Sequence, residues 1–291
     1  MSNLPRIENY NIVRLVAEGG TARVYRGVDL RNGYAVAIKE LKLRHVNNAV
    51  LRDKFRKMET QIMLYAQHPN IPRLVDFIDM PRKNQMFLVM EYIEGRTLER
   101  YIHKEIGLIP EQRALPIFLE VVDTIDFLHH AVIPHIGIYN GVLHLDIKTN
   151  NVMLQPNGHV KIIDLGIASR IGETTGHAYG TPHYMPPEQW NGGPFGRYTD
   201  IFSLGVVLFE MLTGHLPFRS NLPELSQNRQ EIRRRIMYEP TPLMKNYYPF
   251  IRDELQHIVD IATAKNPANR YQSCEQLSKE IRRYMQKHYN K

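Results

Sequence analysis

Two short stretches carry the oxygens that phosphoryl transfer from a nucleoside triphosphate requires: His144-Leu145-Asp146-Ile147-Lys148-Thr149-Asn150-Asn151 and Ile163-Asp164-Leu165-Gly166. A triphosphate holds a dense negative charge that Mg²⁺ must offset. The reaction therefore calls for hard oxygen ligands and for a separate carboxylate to orient the attacking hydroxyl. Asp146 is the candidate base, Asn151 and Asp164 are the candidate metal ligands, and Lys148 would offset charge on the transferring γ-phosphate. A lone His-x-Asp or Asp-x-Gly triplet usually marks only a turn or a helix cap. Here both occur in order, with Asp164 18 residues after Asp146, and together they carry the reading.

These groups need elements to position them. From Tyr10 to about Glu91 the pattern is mixed and strand-rich: Tyr34-Ala35-Val36-Ala37-Ile38-Lys39 alternates as a sheet strand does, and Met86-Phe87-Leu88-Val89-Met90 reads as a buried one. After Tyr92 helices dominate. Leu115, Phe118, Leu119, Val122, Ile125 and Leu128 recur at helical spacing, and residues 201–212 are apolar nearly all round, as in a central buried helix. Ser273 opens a capping box with Gln276, ahead of Leu277, Ile281, Tyr284 and Met285 on a last amphipathic helix. The expectation is an α+β chain in which a small β-rich lobe, residues 10–91, precedes a larger helical lobe, residues 92–291. No repeat, low-complexity tract or Gly/Ser-rich linker separates them, so the boundary should be a short hinge.

The small lobe has chemistry of its own. Period-two geometry puts Ala37 and Lys39 on one strand face and Val36 and Ile38 on the other, which leaves room beside the lysine for a flat ligand. Downstream, Leu51, Phe55, Met58, Ile62 and Ala66 form a helical apolar stripe, and Glu59 lies on it. An inward carboxylate needs a partner. Lys39 is the candidate, because a Lys–Glu pair would hold the amine against α- and β-phosphates; the alternative is a partly exposed glutamate at the stripe's edge. Ala17-Glu18-Gly19-Gly20-Thr21-Ala22-Arg23, between probable strands, would let backbone N–H groups approach phosphates, although Gly-Gly between strands is more often just a hairpin.

Composition limits the other classes. At 291 residues and 43% apolar content the chain can bury a sizeable core. Its most apolar stretch, Gly205 to Leu212, is interrupted by Glu210 and is far short of the roughly twenty residues a membrane helix needs, and Met1-Ser2-Asn3-Leu4-Pro5 opens no signal peptide. A single cysteine, Cys274, fits a reducing compartment, so a cytoplasmic location is expected. The net charge of +7 is spread among acidic residues, with Arg233-Arg234-Arg235 the densest run, and reads as a solvated face rather than a nucleic-acid surface.

From about Tyr10 to Tyr284 the chain resembles a eukaryotic-like Ser/Thr protein kinase catalytic domain of the type widespread in bacteria. The resemblance rests on the glycine-loop remnant, Val36-Ala37-Ile38-Lys39, Glu59 ahead of His68-Pro69-Asn70-Ile71, the hinge Met90-Glu91-Tyr92, and the two stretches above. It continues through Gly180-Thr181-Pro182-His183-Tyr184-Met185-Pro186-Pro187-Glu188, Asp200-Ile201-Phe202-Ser203-Leu204-Gly205 and Asn266-Pro267-Ala268-Asn269-Arg270-Tyr271. It implies the bilobal kinase fold, ATP with Mg²⁺ or Mn²⁺, and protein substrates. It also implies residue roles. Ala17, Gly19 and Gly20 would lie over the phosphates, Met90 would be the gatekeeper, the backbone from Glu91 through Tyr92 to Ile93 would bind adenine, and Val24, Ala37 and Met153 would sandwich the ring. Glu188 would pair with Arg270, and Asp200 would brace the catalytic loop. Lys148 and Thr181 resemble Ser/Thr rather than tyrosine kinases, so a Ser or Thr hydroxyl is the implied acceptor.

Four departures stand out. Ala17 and Ala22 replace two loop glycines, so the loop is strained if those sites need positive φ, or else it is shaped differently. Leu145 replaces the arginine that in relatives receives an activation-loop phosphate, which suggests activity independent of that phosphate; Thr174 and Thr175 remain in the loop with Arg170 as a possible partner. An insertion, residues 129–141, carries His129, His130 and His135; it reads as a surface loop rather than a metal site and is a candidate for partner docking. Pro116 should kink its helix or mark a later start.

A pseudokinase scaffold would share the fold but should have lost one of Lys39, Asp146, Asn151 or Asp164, and none is lost. A kinase of small molecules should lack the segments Thr181–Glu188 and Asn266–Tyr271. Thr97 and Asn150 stand where relatives that prefer basic peptides carry acidic side chains, so no arginine preference is expected. The chain ends soon after its last helical stretch, as a minimal kinase or as part of something longer.

Overall fold

The computed structural model describes residues 4–46, 48, 52–174 and 179–289. Backbone packing divides the chain into two compact units, Met1–Glu94 and Gly95–Lys291.

The first unit is built on a five-stranded antiparallel sheet in the order β1-β2-β3-β5-β4. Its strands are β1 (Tyr10–Glu18), β2 (Ala22–Asp29), β3 (Ala35–Leu41), β4 (Leu74–Met80) and β5 (Gln85–Glu91). The alternation in β3 explains its seat: Val36 and Ile38 enter a buried cluster with Ile12, Tyr25, Phe87 and Val89. Ala37 and Lys39 take the opposite face, Ala37 across from Met90 and Lys39 across from Leu88. Along the predicted apolar stripe the chain makes a π-helical turn over Lys54–Glu59 and continues as α1 (Thr60–Tyr65). Phe55, Glu59, Ile62 and Ala66 are all buried on it; Leu51 lies outside the described residues.

The second unit is mainly helical, with α2 (Glu111–His129), α3 (Arg197–Thr213), α4 (Leu225–Tyr238), α5 (Asp253–Ala262) and α6 (Cys274–Tyr289). As its uniformly apolar sequence predicts, α3 is central, buried at every residue from Thr199 to Thr213. Two small sheets sit beside these helices: β6 (Arg96–Thr97), β8 (Val152–Leu154) and β9 (Val160–Ile162) form one, and β7 (Val142–Leu143) with β10 (Ser169–Arg170) the other. At the start of α6 the Gln276 amide donates to Ser273 Oγ at 3.2 Å, and Gln276 Oε1 accepts the Gln272 amide at 2.7 Å, one residue before the cap.

Two expectations are resolved against their alternatives. The helix does not begin later at Pro116: α2 starts at Glu111, with Pro116 in its second turn on the exposed side. The missing N–H therefore costs a hydrogen bond but no packing. His129 does not belong to a surface loop. It is the last residue of α2 and fully buried, because Asp200 and Cys274 supply its polar partners, and the exposed part of the insertion begins at His130. Among the described residues no helix is long and apolar enough to cross a membrane.

Candidate active site

In the first unit, Lys39 Nζ lies 2.5 Å from Glu59 Oε1, and both side chains are almost fully buried. The sheet sets the lysine and the helical stripe sets the glutamate, so the inward carboxylate has its partner and the exposed-edge alternative falls away. The Phe55 ring centroid is 5.8 Å from Nζ and closes the amine's apolar side. Val24, directly across from Lys39, and Ala37 are half-buried, while Met90 and Ile93 are buried. The backbone of Glu91 is held by its N–H donating to Arg73 O at 2.9 Å, and Arg26 stacks over the ring of Tyr92 at 5.1 Å.

The glycine segment is a tight hairpin tip in which the Gly19 amide donates to Ala22 O at 2.9 Å and Glu18 faces Arg23. Ala17 and Ala22 sit in β1 and β2 with ordinary negative φ, so the loop is shaped differently rather than strained. A register shift between Leu15 and Ala17 absorbs the change in shape. A Cβ at Gly20 would meet nothing within 4 Å.

In the second unit, Asp146, Lys148, Asn151 and Thr181 converge. Asp146 Oδ1 accepts the Thr181 amide at 3.1 Å and its hydroxyl at 2.7 Å. Asp146 Oδ2 accepts Lys148 Nζ at 2.7 Å and Asn151 Nδ2 at 3.2 Å. Lys148 Nζ also donates to Thr181 Oγ1 at 2.8 Å. Because Asn151 spends its NH₂ on the Asp146 carboxylate and carbonyl, its amide oxygen is turned the other way as an acceptor. Asn151 precedes β8 and Asp164 follows β9; Val152 pairs with Ile162, and Ile163 N donates to Asn151 O at 2.9 Å. A hairpin thus brings together two oxygen donors that are 13 residues apart in sequence. Met153 lies half-buried in the same β8. Asp164 Oδ1 accepts the Gly166 amide at 2.9 Å. One carboxylate and one amide oxygen suit a hard divalent cation that keeps waters and substrate phosphates as its other ligands.

The loop carrying Asp146 is pinned from below. Leu145 has φ of 63°, a strained value for a residue with a branched side chain. It is held there on both sides, its N–H donating to Asp200 Oδ1 at 2.8 Å and its carbonyl accepting Gln189 Nε2 at 2.7 Å. Asp200 Oδ2 accepts the His144 amide and His129 Nε2, each at 2.8 Å. Burial alone would push the Asp200 carboxyl up, but the hydrogen bond and charge of His129, with the His144 amide donating to it, hold it below its usual value. His144 is buried, which lowers its pKa and favours the neutral ring, and Nδ1 accepts the Asp146 amide at 3.3 Å. Glu188 and Arg270 form a two-pronged ion pair at 2.7 and 2.9 Å.

Sequence reasoning did not single out Gln189, whose contact with Leu145 spans 44 residues, and it placed His129 in the insertion. No local signal marks either role; only the fold brings them beneath the loop. Arg170 donates to Ile136 O in the insertion and lies 3.8 Å from Glu173. Among the described residues no group of three or more His, Cys, Asp or Glu stands together as for a metal ion.

The family model for the protein kinase domain matches residues 10–281. Serine/threonine-protein kinase PrkC of Bacillus subtilis is 34% identical over 278 residues, covering 94% of this chain and 40% of that protein. Probable serine/threonine-protein kinase PknB of Lactococcus lactis is 32% identical over 279 residues, 94% of this chain and 42% of that protein. Serine/threonine-protein kinase PknB of Mycobacterium tuberculosis is 31% identical over 282 residues, with 94% and 42% covered. The chain thus spans about two fifths of the length of these relatives. A family match over nearly the whole chain, together with the convergence of Asp146, Lys148, Asn151 and Thr181, shows that the chain belongs to the protein kinase domain family.

Proposed function

We propose that the chain transfers the γ-phosphate of ATP to Ser or Thr hydroxyls of protein substrates. The observation that carries this is the Asp146–Lys148–Thr181–Asn151 constellation, in which a half-buried carboxylate and a lysine are tied together by a threonine hydroxyl. Asp146 orients the acceptor hydroxyl and receives its proton as the oxygen attacks the γ-phosphorus and ADP departs. Lys148 offers its charge to the phosphoryl oxygens. Asn151 Oδ1 and Asp164 would hold Mg²⁺ or Mn²⁺, which neutralises the phosphate charge when bound. In the other unit the Lys39–Glu59 pair would present the amine to the α- and β-phosphates. Ala17, Gly19 and Gly20 would cover the phosphates, and Val24, Ala37, Met90, the Glu91–Ile93 backbone and Met153 would enclose adenine. We assign residues 10–91 and 92–291 to the two lobes. A cytoplasmic site of action fits the single buried Cys274.

The test is phosphate transfer from radiolabelled ATP and Mg²⁺, to the chain itself and to myelin basic protein, comparing the native chain with Asp146→Asn. Label on Ser or Thr should fall by about 10² to 10⁴ in the variant, as expected on losing a general base. Equal labelling would remove Asp146 from its role. No label in either, with nucleotide still bound, would favour the scaffold reading.

A further inference from the structure

A cavity of about 510 Å³ opens in the second unit beneath the insertion. It falls within the range of small-molecule pockets, roughly 300–1,000 Å³. Its walls come from four separate parts of the chain: His130, Tyr139 and Asn140 from the insertion, Ile171 from the segment after β10, Arg197 and Tyr198 from the first turn of α3, and Gln272 before α6. None of these residues takes part in the phosphoryl-transfer constellation.

The cavity's chemistry is one-sided. Arg197 donates through Nη2 to the His129 carbonyl at 3.0 Å, and among the described residues no carboxylate lies within ion-pair distance of it. A guanidinium has five N–H donors, so most of its hydrogen-bonding capacity and its whole charge are left for another partner. No carboxylate is among the residues that line the cavity, and Asp126 lies 3.5 Å from Nδ1 of the lining His130. Two phenol rings flank the space. Tyr139 is 65% exposed, and a Cβ at Gly196 would run into the Tyr198 ring, so the absence of a side chain there gives that ring its place. Asn140 and Gln272 add amide groups, and Ile171 adds an aliphatic surface.

We propose that this cavity is a second ligand site, which takes a small organic anion carrying a flat ring, with the anionic group on Arg197 and the ring between Tyr139 and Tyr198. Planar bidentate recognition of a carboxylate or phosphate is what a guanidinium does best, and tyrosine rings offer large apolar faces at low entropic cost. Carboxylates and phosphomonoesters share this chemistry, and the probes separate them. Ile171 joins the cavity to the apolar cluster of Leu143, Leu145 and Phe195 under the catalytic loop, so an occupant would bear on the residue that precedes Asp146.

The experiment is ligand-observed NMR on the purified chain, with the nucleotide site filled by a non-hydrolysable ATP analogue and Mg²⁺. Phenyl phosphate and benzoate serve as probes, with inorganic phosphate and phenol as half-ligands. At about 0.3 kcal/mol per heavy atom, at least one of the two probes should bind with a Kd of about 4–10 mM, and the tighter of them identifies the anionic group. Each half-ligand should bind at least fivefold more weakly than that probe. Tyr139→Ala and Arg197→Gln should each weaken the tighter probe at least fivefold, while Tyr139→Ala, on an exposed side chain, leaves the unfolding temperature unchanged. The site is overturned by a lack of saturation with both probes at 20 mM, by equal binding in both variants, or by displacement with the ATP analogue. These outcomes are independent of whether the chain transfers phosphate.

Discussion

Leu145 shows how one residue type redirects a site. Where the kinase resemblance would call for an arginine, this chain buries a leucine at positive φ against Leu143 and Phe195, with Ile167 and Ile171 packed alongside. The segment after β10 is therefore held by apolar contact. Leu145→Arg puts an unpaired charge into that cluster and should cost roughly 2–4 kcal/mol, read by urea unfolding. By the same reasoning Thr174→Ala with Thr175→Ala should leave turnover within about threefold of native, whereas loss of turnover would restore a phosphate requirement. Thr174 is described and exposed; Thr175 lies outside the described residues. Lys265 is a second residue-scale case. Its Nζ is buried without a hydrogen-bond partner, 4.0 Å from the Phe218 ring centroid. Burial, then the charge of Arg270, lowers its pKa from 10.5 to about 8, against a smaller opposing pull from Glu239. Between about pH 8 and 10.5 the unfolded chain holds a proton that the folded chain has released, so this group makes stability rise with pH across that window. Lys265→Met should abolish that rise and add about 1 kcal/mol at pH 7, measured by thermal unfolding at several pH values.

At the scale of elements, α2 carries a burden its sequence announces. Pro116 removes one helical N–H and crowds the preceding turn, yet the helix runs unbroken from Glu111 to His129, because Leu115, Phe118, Leu119, Val122, Ile125 and Leu128 are all buried along it. Tertiary burial overrides a local penalty of about 3 kcal/mol. Since Pro116 is exposed, Pro116→Ala should repair the hydrogen bond without creating a cavity. Allowing for the greater freedom it gives the unfolded chain, a gain of about 1–2 kcal/mol is expected, read from the unfolding midpoint. The element boundaries most legible in the sequence were those with a local cause: the alternation that set β3, the uniform apolarity that buried α3, and the Ser273 cap. The π-helical turn over Lys54–Glu59 was not legible, because apolar spacing alone does not separate it from an α-helical one.

At the scale of the whole molecule, substrate binding should be visible as linkage. A non-hydrolysable ATP analogue with Mg²⁺ at about a hundred times its Kd adds about 2.7 kcal/mol, or about 5 °C in unfolding temperature for a chain of this size. EDTA should remove most of that shift, and Asp164→Asn should lose the metal-dependent part while leaving the unliganded protein folded. A shift that persists in EDTA would take Asn151 and Asp164 out of metal binding. The dense basic run is largely neutralised on the surface: Arg234 and Arg235 pair with Glu231 and Glu239. The densest basic run of the sequence is thus a salt-bridged face rather than a free basic patch.

By itself the sequence determined the family and the α+β architecture, and it nominated the oxygen donors and the lysine–glutamate pair, because these follow from residue type and short-range periodicity. Tertiary structure alone decided that Glu59 is buried on Lys39, that Ala17 and Ala22 are unstrained, and that Thr181 bridges Asp146 and Lys148. It also decided that His129 and Gln189 lie beneath the catalytic loop. Each of these depends on contacts between residues far apart in the chain, or on a backbone angle set by its surroundings, and a side chain's chemistry does not encode which distant partner the fold will bring to it.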